Sequence, residues 1–243
     1  MSKISVAKFI EKIKNKLDVM QNMAKAMHPR KFFGMDREDM FVSRYFPETV
    51  GKYVDIGSGN PIIFSNTFYF YRLGWKGITV DPLYQNNILH RVIRHRDTQI
   101  RALVGLGKNN ESYKFYEFIP SELSSANMNY AKSVIESGAG KLVKISNIKS
   151  IKLSDISGMT NPFDPCFLSI DVEAQDLEVL MSNNFSQFNP RVIIIEDMEY
   201  NIKFNQSKIK ELLNQENYTL KHWLGTSSIY VSNNYLNLKT SVN

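Results

Sequence analysis

Short unbroken apolar runs alternate along this chain with stretches whose apolar residues recur at helical spacing. Residues 53–56, 77–81, 100–105, 166–171 and 191–197 are runs of the first kind. They are rich in β-branched residues and too uniformly apolar to keep one face in water, so they predict strands buried on both faces. Residues 68–73 (ended by Gly74), 84–95, 172–180 and 207–216 predict the intervening helices. Strand and helix in alternation predict a mostly parallel sheet covered by helices, an α/β, Rossmann-like fold. Two strands at 218–224 and 227–231, joined by Gly225 and Thr226, predict an antiparallel hairpin that finishes the sheet.

Two regions depart from this rhythm. Val6, Ile10, Ile13, Leu17, Met20, Ala24 and Met27 lie on one face of an amphipathic helix over 4–27, and Pro29 ends it. A short helix is expected within 36–46, leading into the first strand. Residues 1–46 thus read as a basic helical extension before an α/β domain of 47–243. Residues 106–142 are the least regular. Residues 113–118 alternate as a strand, whereas 121–129 are dense in loop formers and predict a lid at the carboxyl edge of the sheet. A further strand is expected over 143–153.

A chain of 243 residues suffices for one α/β domain with an extension. It contains no apolar run long enough to cross a bilayer and no secretory leader pattern, and its single cysteine, Cys166, forms no intramolecular disulfide. A cytoplasmic protein with a buried structural thiol is expected. The net charge of +6 lies entirely in residues 1–31, which hold eight basic and two acidic residues, and the remainder is neutral. A nucleic-acid partner is therefore not expected, because a cleft that tracks phosphates needs a basic surface around it. The basic helix either packs on the domain or on a second copy, or lies on an anionic membrane surface. Packing is favoured by its having one aromatic residue, Phe9.

The candidate chemistry sits at the strand ends. Gly57 and Gly59 follow the first strand and let backbone N–H groups approach a ligand, with Ser58 between them. Asp81, before Pro82, closes the second strand where a carboxylate accepts from both hydroxyls of a ribose. Asp55 makes this turn acidic, which disfavours a pyrophosphate and suits S-adenosylmethionine, with its sulfonium and ammonium. Asn66 is read as a ligand contact near the next helix start, and Leu103 as a wall for adenine. Asp171, Glu196 and Asp197 end two further strands. They either hold a divalent cation such as Mg²⁺ or orient and deprotonate a substrate hydroxyl, with Glu173 a weaker candidate beside them. The cationic cluster at 90–96 reads as a solvated helix end, as do Asp176 and Glu178.

VDIGSGNPIIFSNT (54–67), GWKGITVDP (74–82), SS (124–125), LSIDVEAQDLEVL (168–180) and PRVIIIE (190–196) occur in this order. On these motifs the chain, from about 41 to 231, resembles the FkbM family of S-adenosylmethionine-dependent methyltransferases. The resemblance implies a class I methyltransferase fold with a seven-stranded sheet, and methylation of a hydroxyl oxygen on a sugar, a glycan or a related small molecule. It implies cofactor contacts at Asp55, Gly57, Asn66 and Asp81, and places Asp171 near the transferred methyl. Ala174 stands where the family usually has glycine. Two other readings carry their own expectations: an RNA 2′-O-methyltransferase needs the basic helix folded over the cleft, and a non-catalytic nucleotide-binding module needs no acceptor pocket.

Overall fold

The structure, a computed structural model, describes residues 32–47, 50–157, 165–197 and 206–240. The helix expected over 4–27 lies outside them. Strands β1 (Lys52–Ile56), β2 (Lys76–Val80), β3 (Thr98–Ile100), β7 (Cys166–Ile170) and β8 (Val192–Glu196) run parallel. With β9 (Tyr218–Leu224) and β10 (Ser227–Ser232) they form a seven-stranded sheet in the order β3-β2-β1-β7-β8-β10-β9, and β10 pairs antiparallel with both β8 and β9. The chain leaves β1 toward β2 on one side and returns to β7 on the other. This reversal opens a crevice at the carboxyl ends of the strands.

The period of two along each strand sorts its side chains onto two cores. Val54, Ile56, Leu168, Ile170, Ile193 and Ile195 face α6 (Asp176–Met181) and α7 (Lys208–Gln215), which contribute Val179, Leu180, Ile209 and Leu213. Tyr53, Phe167, Val192 and Ile194 face the aromatic side, with Phe46, Phe68, Phe70 and Trp75. Phe68 and Phe70 come from α2 (Phe68–Arg72), and Val42 of α1 (Glu38–Ser43) joins them. Tyr45, just beyond α1, bonds its hydroxyl to His222 Nε2 at 3.0 Å, so His222 pins α1 to β9. Cys166 is buried in β7 and unbridged.

Three expectations need correction. The run over 100–105 is not one strand: β3 ends at Ile100, and Leu103–Val104 forms β4, which pairs with β6 (Lys141–Ile151) in a second sheet of order β4-β6-β5. Gly105 follows β4 with φ +83°, where a Cβ would lie 2.6 Å from the backbone of Val179. The irregular region is also more ordered than its composition suggests. β5 (Ser112–Ile119) pairs with β6, and α4 (Met128–Ser137) is capped by the Asn127 side chain, which accepts from the N–H groups of Asn129 and Tyr130. Finally, the helix expected from 172 starts at Asp176. Glu173 and Ala174 both have positive φ, +56° and +67°, which no helix accommodates. The remaining helices are α3 (Tyr84–Ile93), α5 (Leu153–Ser157) and α8 (Asn233–Thr240).

Candidate active site

A cavity of about 180 Å³ lies over the carboxyl ends of β2, β1 and β7. Gly57, Ser58, Gly59, Asp81, Pro82, Leu103, Asp171 and Glu173 line it, all of them singled out from the sequence. Ser121, Glu122, Ser124 and Ala126 line it too, so part of the segment expected as a lid borders the cavity.

The Gly turn is held from three directions. The N–H groups of Gly57 and Ser58 donate to the Val80 carbonyl at 2.9 and 3.1 Å, and Gly59 N–H donates to Asp81 Oδ2 at 2.9 Å. Gly57 has φ +76°, and a Cβ there would stand 1.7 Å from the Asp171 carbonyl oxygen, so only glycine lets the β1 and β7 loops meet. Asp81 also accepts from Leu83 N–H at 2.7 Å. Burial pushes its carboxyl up to about 6 against these stabilising hydrogen bonds. His90 supports the turn from α3, with Nε2 3.2 Å from the Gly59 carbonyl, and burial holds its imidazole neutral, pushed down to about 3.

Asp55 is not among the cavity residues. It lies one residue from Val54 and so faces the aromatic core with Tyr53, where it accepts from Thr67 Oγ1 at 2.5 Å. Arg94 reaches the same network: its guanidinium donates to Thr67 Oγ1 at 2.8 Å and pairs with Asp97 at 2.8 Å. The expectation of a solvated cationic cluster therefore fails for His90 and Arg94, both fully buried. Asn66 also stands apart from the cavity. Its Nδ2 donates to Ser169 Oγ at 3.2 Å, and Gly34 packs against its Oδ1.

At the acceptor end, four carboxyl groups crowd the ends of β7 and β8. Burial and then Glu196, Asp176 and Glu173 hold the Asp171 carboxyl well above the usual range. Burial, with Asp176 and Glu173, pushes Glu196 up to about 8. Asp176, expected in solvent, is instead buried; it accepts from Val172 N–H at 3.1 Å, and burial pushes it up to about 7. Asp197 does not join them, because its carboxylate accepts from Ser207 Oγ at 2.5 Å, the residue that caps α7. Glu196 is near enough to influence Asp171 but does not line the cavity. Among the described residues no group of three or more His, Cys, Asp or Glu has the geometry to hold a metal ion, so Mg²⁺ gains no support.

Sequence reasoning missed Tyr130, whose hydroxyl donates to Glu173 Oε2 at 2.6 Å. The Asn127 cap, three residues before it in a stretch read as loop, was the available signal.

Strand order, Gly turn and acid-ended strands define a Rossmann-like α/β protein of the class I methyltransferase type. The methyltransferase FkbM domain matches residues 53–223, and the chain belongs to that family of methyltransferases. Comparison with curated proteins gave no match. Among solved structures, a methyltransferase from Geobacter sulfurreducens is similar over 95% of this chain and 96% of its own, at 9% identity and a TM-score of 0.42. No described helix is long and apolar enough to cross a membrane.

Proposed function

We propose that this protein is an S-adenosylmethionine-dependent O-methyltransferase acting on a hydroxyl of a sugar, a glycan or a related small molecule. One observation carries the reading: the Gly turn, Asp81 and Asp171 face one cavity from the ends of three adjacent parallel strands.

The residues present fit the cofactor. A Cβ on Gly59 would meet only the Gly57 carbonyl, 3.8 Å away, so there is room beside this part of the turn. The Asp81 oxygens accept from the Gly59 and Leu83 N–H groups and from the Asn86 side chain, which leaves acceptor capacity for a ribose hydroxyl. Ala102, Leu103, Val104 and Phe115 offer an apolar wall to a purine.

When bound, the cofactor supplies an electrophilic methyl, transferred as its C–S bond breaks and a C–O bond forms. The chain's own contribution is alignment and proton acceptance. Asp171 and Glu173 hold the acceptor hydroxyl, and one of the two carboxylates takes its proton. Burial raises the affinity of both for that proton, with Glu196 and Asp176 adding to it at Asp171, which suits a base acting on a weakly acidic hydroxyl. Among the described residues no lysine, arginine or histidine lines the cavity, which argues against an RNA acceptor.

Calorimetric titration with S-adenosylhomocysteine tests the reading. Saturable binding is expected, weakened tenfold or more, about 1.4 kcal/mol, by Asp81→Ala. Labelled methyl transfer to hydroxyl acceptors completes the test, and absence of binding to the unaltered protein overturns the reading.

A further inference from the structure

Phe64 stands at the cavity wall in a conformation that serves neither the backbone nor the solvent. Its φ is +60°, the left-handed region where a Cβ crowds the following carbonyl, and 54% of its surface is exposed. Glycine would suit that backbone, and a polar side chain would suit that exposure. Asn60 Oδ1 accepts the N–H groups of Ile62 and Ile63, both at 3.0 Å, and fixes the loop before Phe64. Ser65 Oγ accepts Phe68 N–H at 3.1 Å and fixes the chain after it. Phe64 is thus displayed from a loop anchored on both sides. Among the described residues no aromatic ring or guanidinium stacks on it. Strain kept on an exposed aromatic at the edge of a cavity points to a ligand.

The surroundings narrow the ligand's chemistry. Met35, 63% exposed, and Ile63 join Phe64 in an apolar stretch of the wall. Among the described residues the charged ones lining the same cavity, Asp81, Glu122, Asp171 and Glu173, are all acidic. We infer that Phe64 is the platform on which the methyl acceptor stacks, and that this acceptor is an uncharged or amine-bearing saccharide ring rather than a phosphorylated or carboxylated one. A pyranose presents polarised C–H bonds on one face, complementary to the negative face of the phenyl ring. An ammonium substituent gains further from the ring and from the carboxylates. A phosphate or carboxylate meets like charge, with no basic side chain among the described lining residues to offset it. The inference rests on the O-methyltransferase reading and adds the acceptor's shape and charge to it.

The test compares the unaltered protein with Phe64→Gly and Phe64→Trp, all loaded with S-adenosylhomocysteine. The probes are a methyl glycoside, its amino analogue and its phosphorylated analogue at millimolar concentration. Binding is followed by ligand-observed NMR, and labelled methyl transfer from S-adenosylmethionine is followed in parallel. The neutral or amino glycoside is expected to bind and the phosphorylated one not. Phe64→Gly is expected to weaken glycoside binding and raise KM roughly tenfold while leaving kcat within about twofold. Phe64→Trp restores binding. The glycine variant is expected to melt no lower than the unaltered protein and to bind S-adenosylhomocysteine equally well. Three results each overturn the proposal: no glycoside bound by the loaded protein, equal binding of the phosphorylated analogue, or a glycine variant that melts clearly lower. Failure of the unaltered protein to bind S-adenosylhomocysteine removes the cofactor reading itself, and that measurement stands apart from the glycoside arms.

Discussion

The Tyr130 hydroxyl donates to Glu173 Oε2 at 2.6 Å, tying α4 to the loop that follows β7. The same loop is held twice more from that segment, by Ser125 Oγ on the Glu173 carbonyl at 2.8 Å and by Asn127 Nδ2 on the Ala174 carbonyl at 3.3 Å. Burial, then Glu173, Glu196 and Asp171, raise the phenol's affinity for its proton, so Tyr130 stays a donor. The segment that borders the cavity and the carboxylate that lines it therefore form one mechanical unit.

Tyr130→Phe separates the two without removing either. The tyrosine bond is what lowers the proton affinity of Glu173 against its burial, so its loss moves Glu173 further up. We expect methyl transfer to fall about tenfold, the acidic limb of its pH profile to shift to higher pH, and stability to drop by about 1 to 2 kcal/mol. Affinity for S-adenosylhomocysteine should be unchanged by calorimetry. An unshifted pH profile would show that Glu173 does not titrate in the reaction.

Ala174 and Gly57 make opposite predictions about a single methyl group. Ala174 sits at φ +67°, so Ala174→Gly relieves a left-handed backbone, and we expect a gain of about 0.5 to 1 kcal/mol after glycine's greater loss of freedom. Gly57→Ala drives a Cβ into the Asp171 carbonyl, 1.7 Å away, and forces the β1 and β7 loops apart. Thermal unfolding should show the first variant about 2 °C higher and the second many degrees lower. S-adenosylhomocysteine binding should survive only in the first.

The buried pair Arg94–Asp97 has no exposed side-chain surface on either partner, and Tyr53 donates its hydroxyl to Asp97 at 2.7 Å. Arg94→Met leaves Asp97 and Asp55 without their cation in a sealed core. A loss of about 3 to 5 kcal/mol is expected in urea unfolding, with the double variant Arg94→Met, Asp97→Leu recovering part of it. A loss under about 1 kcal/mol would place the pair among surface contacts, against its burial.

How far the sequence reveals this site follows from where each residue's partners come from. Strands β1, β7 and β8 were legible because their runs are buried on both faces and carry their signal locally, whereas the count of seven strands came with the family resemblance. Gly57, Asp81 and Asp171 were legible because strand ends in a parallel sheet share one edge. Asp55 was assigned to the ligand although strand alternation turns it toward Tyr53, and Arg94 was assigned to solvent although α3 carries it beneath that tyrosine. The counter-charge of Asp55 is Arg94, far along the chain, and no local pattern reports that pairing; Asp97 lies only three residues after Arg94, but what buries that pair beneath Tyr53 is the tertiary fold. The late start of α6 was illegible for a similar reason: 172–175 has helical composition, and the left-handed turn at Glu173 and Ala174 is fixed by Ser125 and Asn127, nearly fifty residues earlier.

The burial of Glu196 and Asp176 among other carboxylates has a consequence for stability that runs opposite to ordinary carboxylates. Glu196 is raised from 4.5 to about 8 and Asp176 from 3.8 to about 7, so the folded protein binds these protons more tightly than the unfolded chain does. Their contribution is present at low pH and is lost as pH rises through the folded values. Each group costs up to about 1.4 kcal/mol per pH unit while it is protonated in the folded state alone. His90 acts in the other direction, since its folded imidazole is lowered from 6.5 to about 3 and the unfolded chain binds its proton more tightly. Above pH 6.5 that histidine is neutral in both states, and the acidic pair dominates. The melting temperature of the ligand-free protein is therefore expected to fall between pH 6.5 and about 8, and Glu196→Gln to flatten the fall. Differential scanning calorimetry across that window decides the matter. A melting temperature that stays level or rises would mean that the carboxylates at the ends of β7 and β8 are solvated, and that their crowding is not what prepares Asp171 to take a proton.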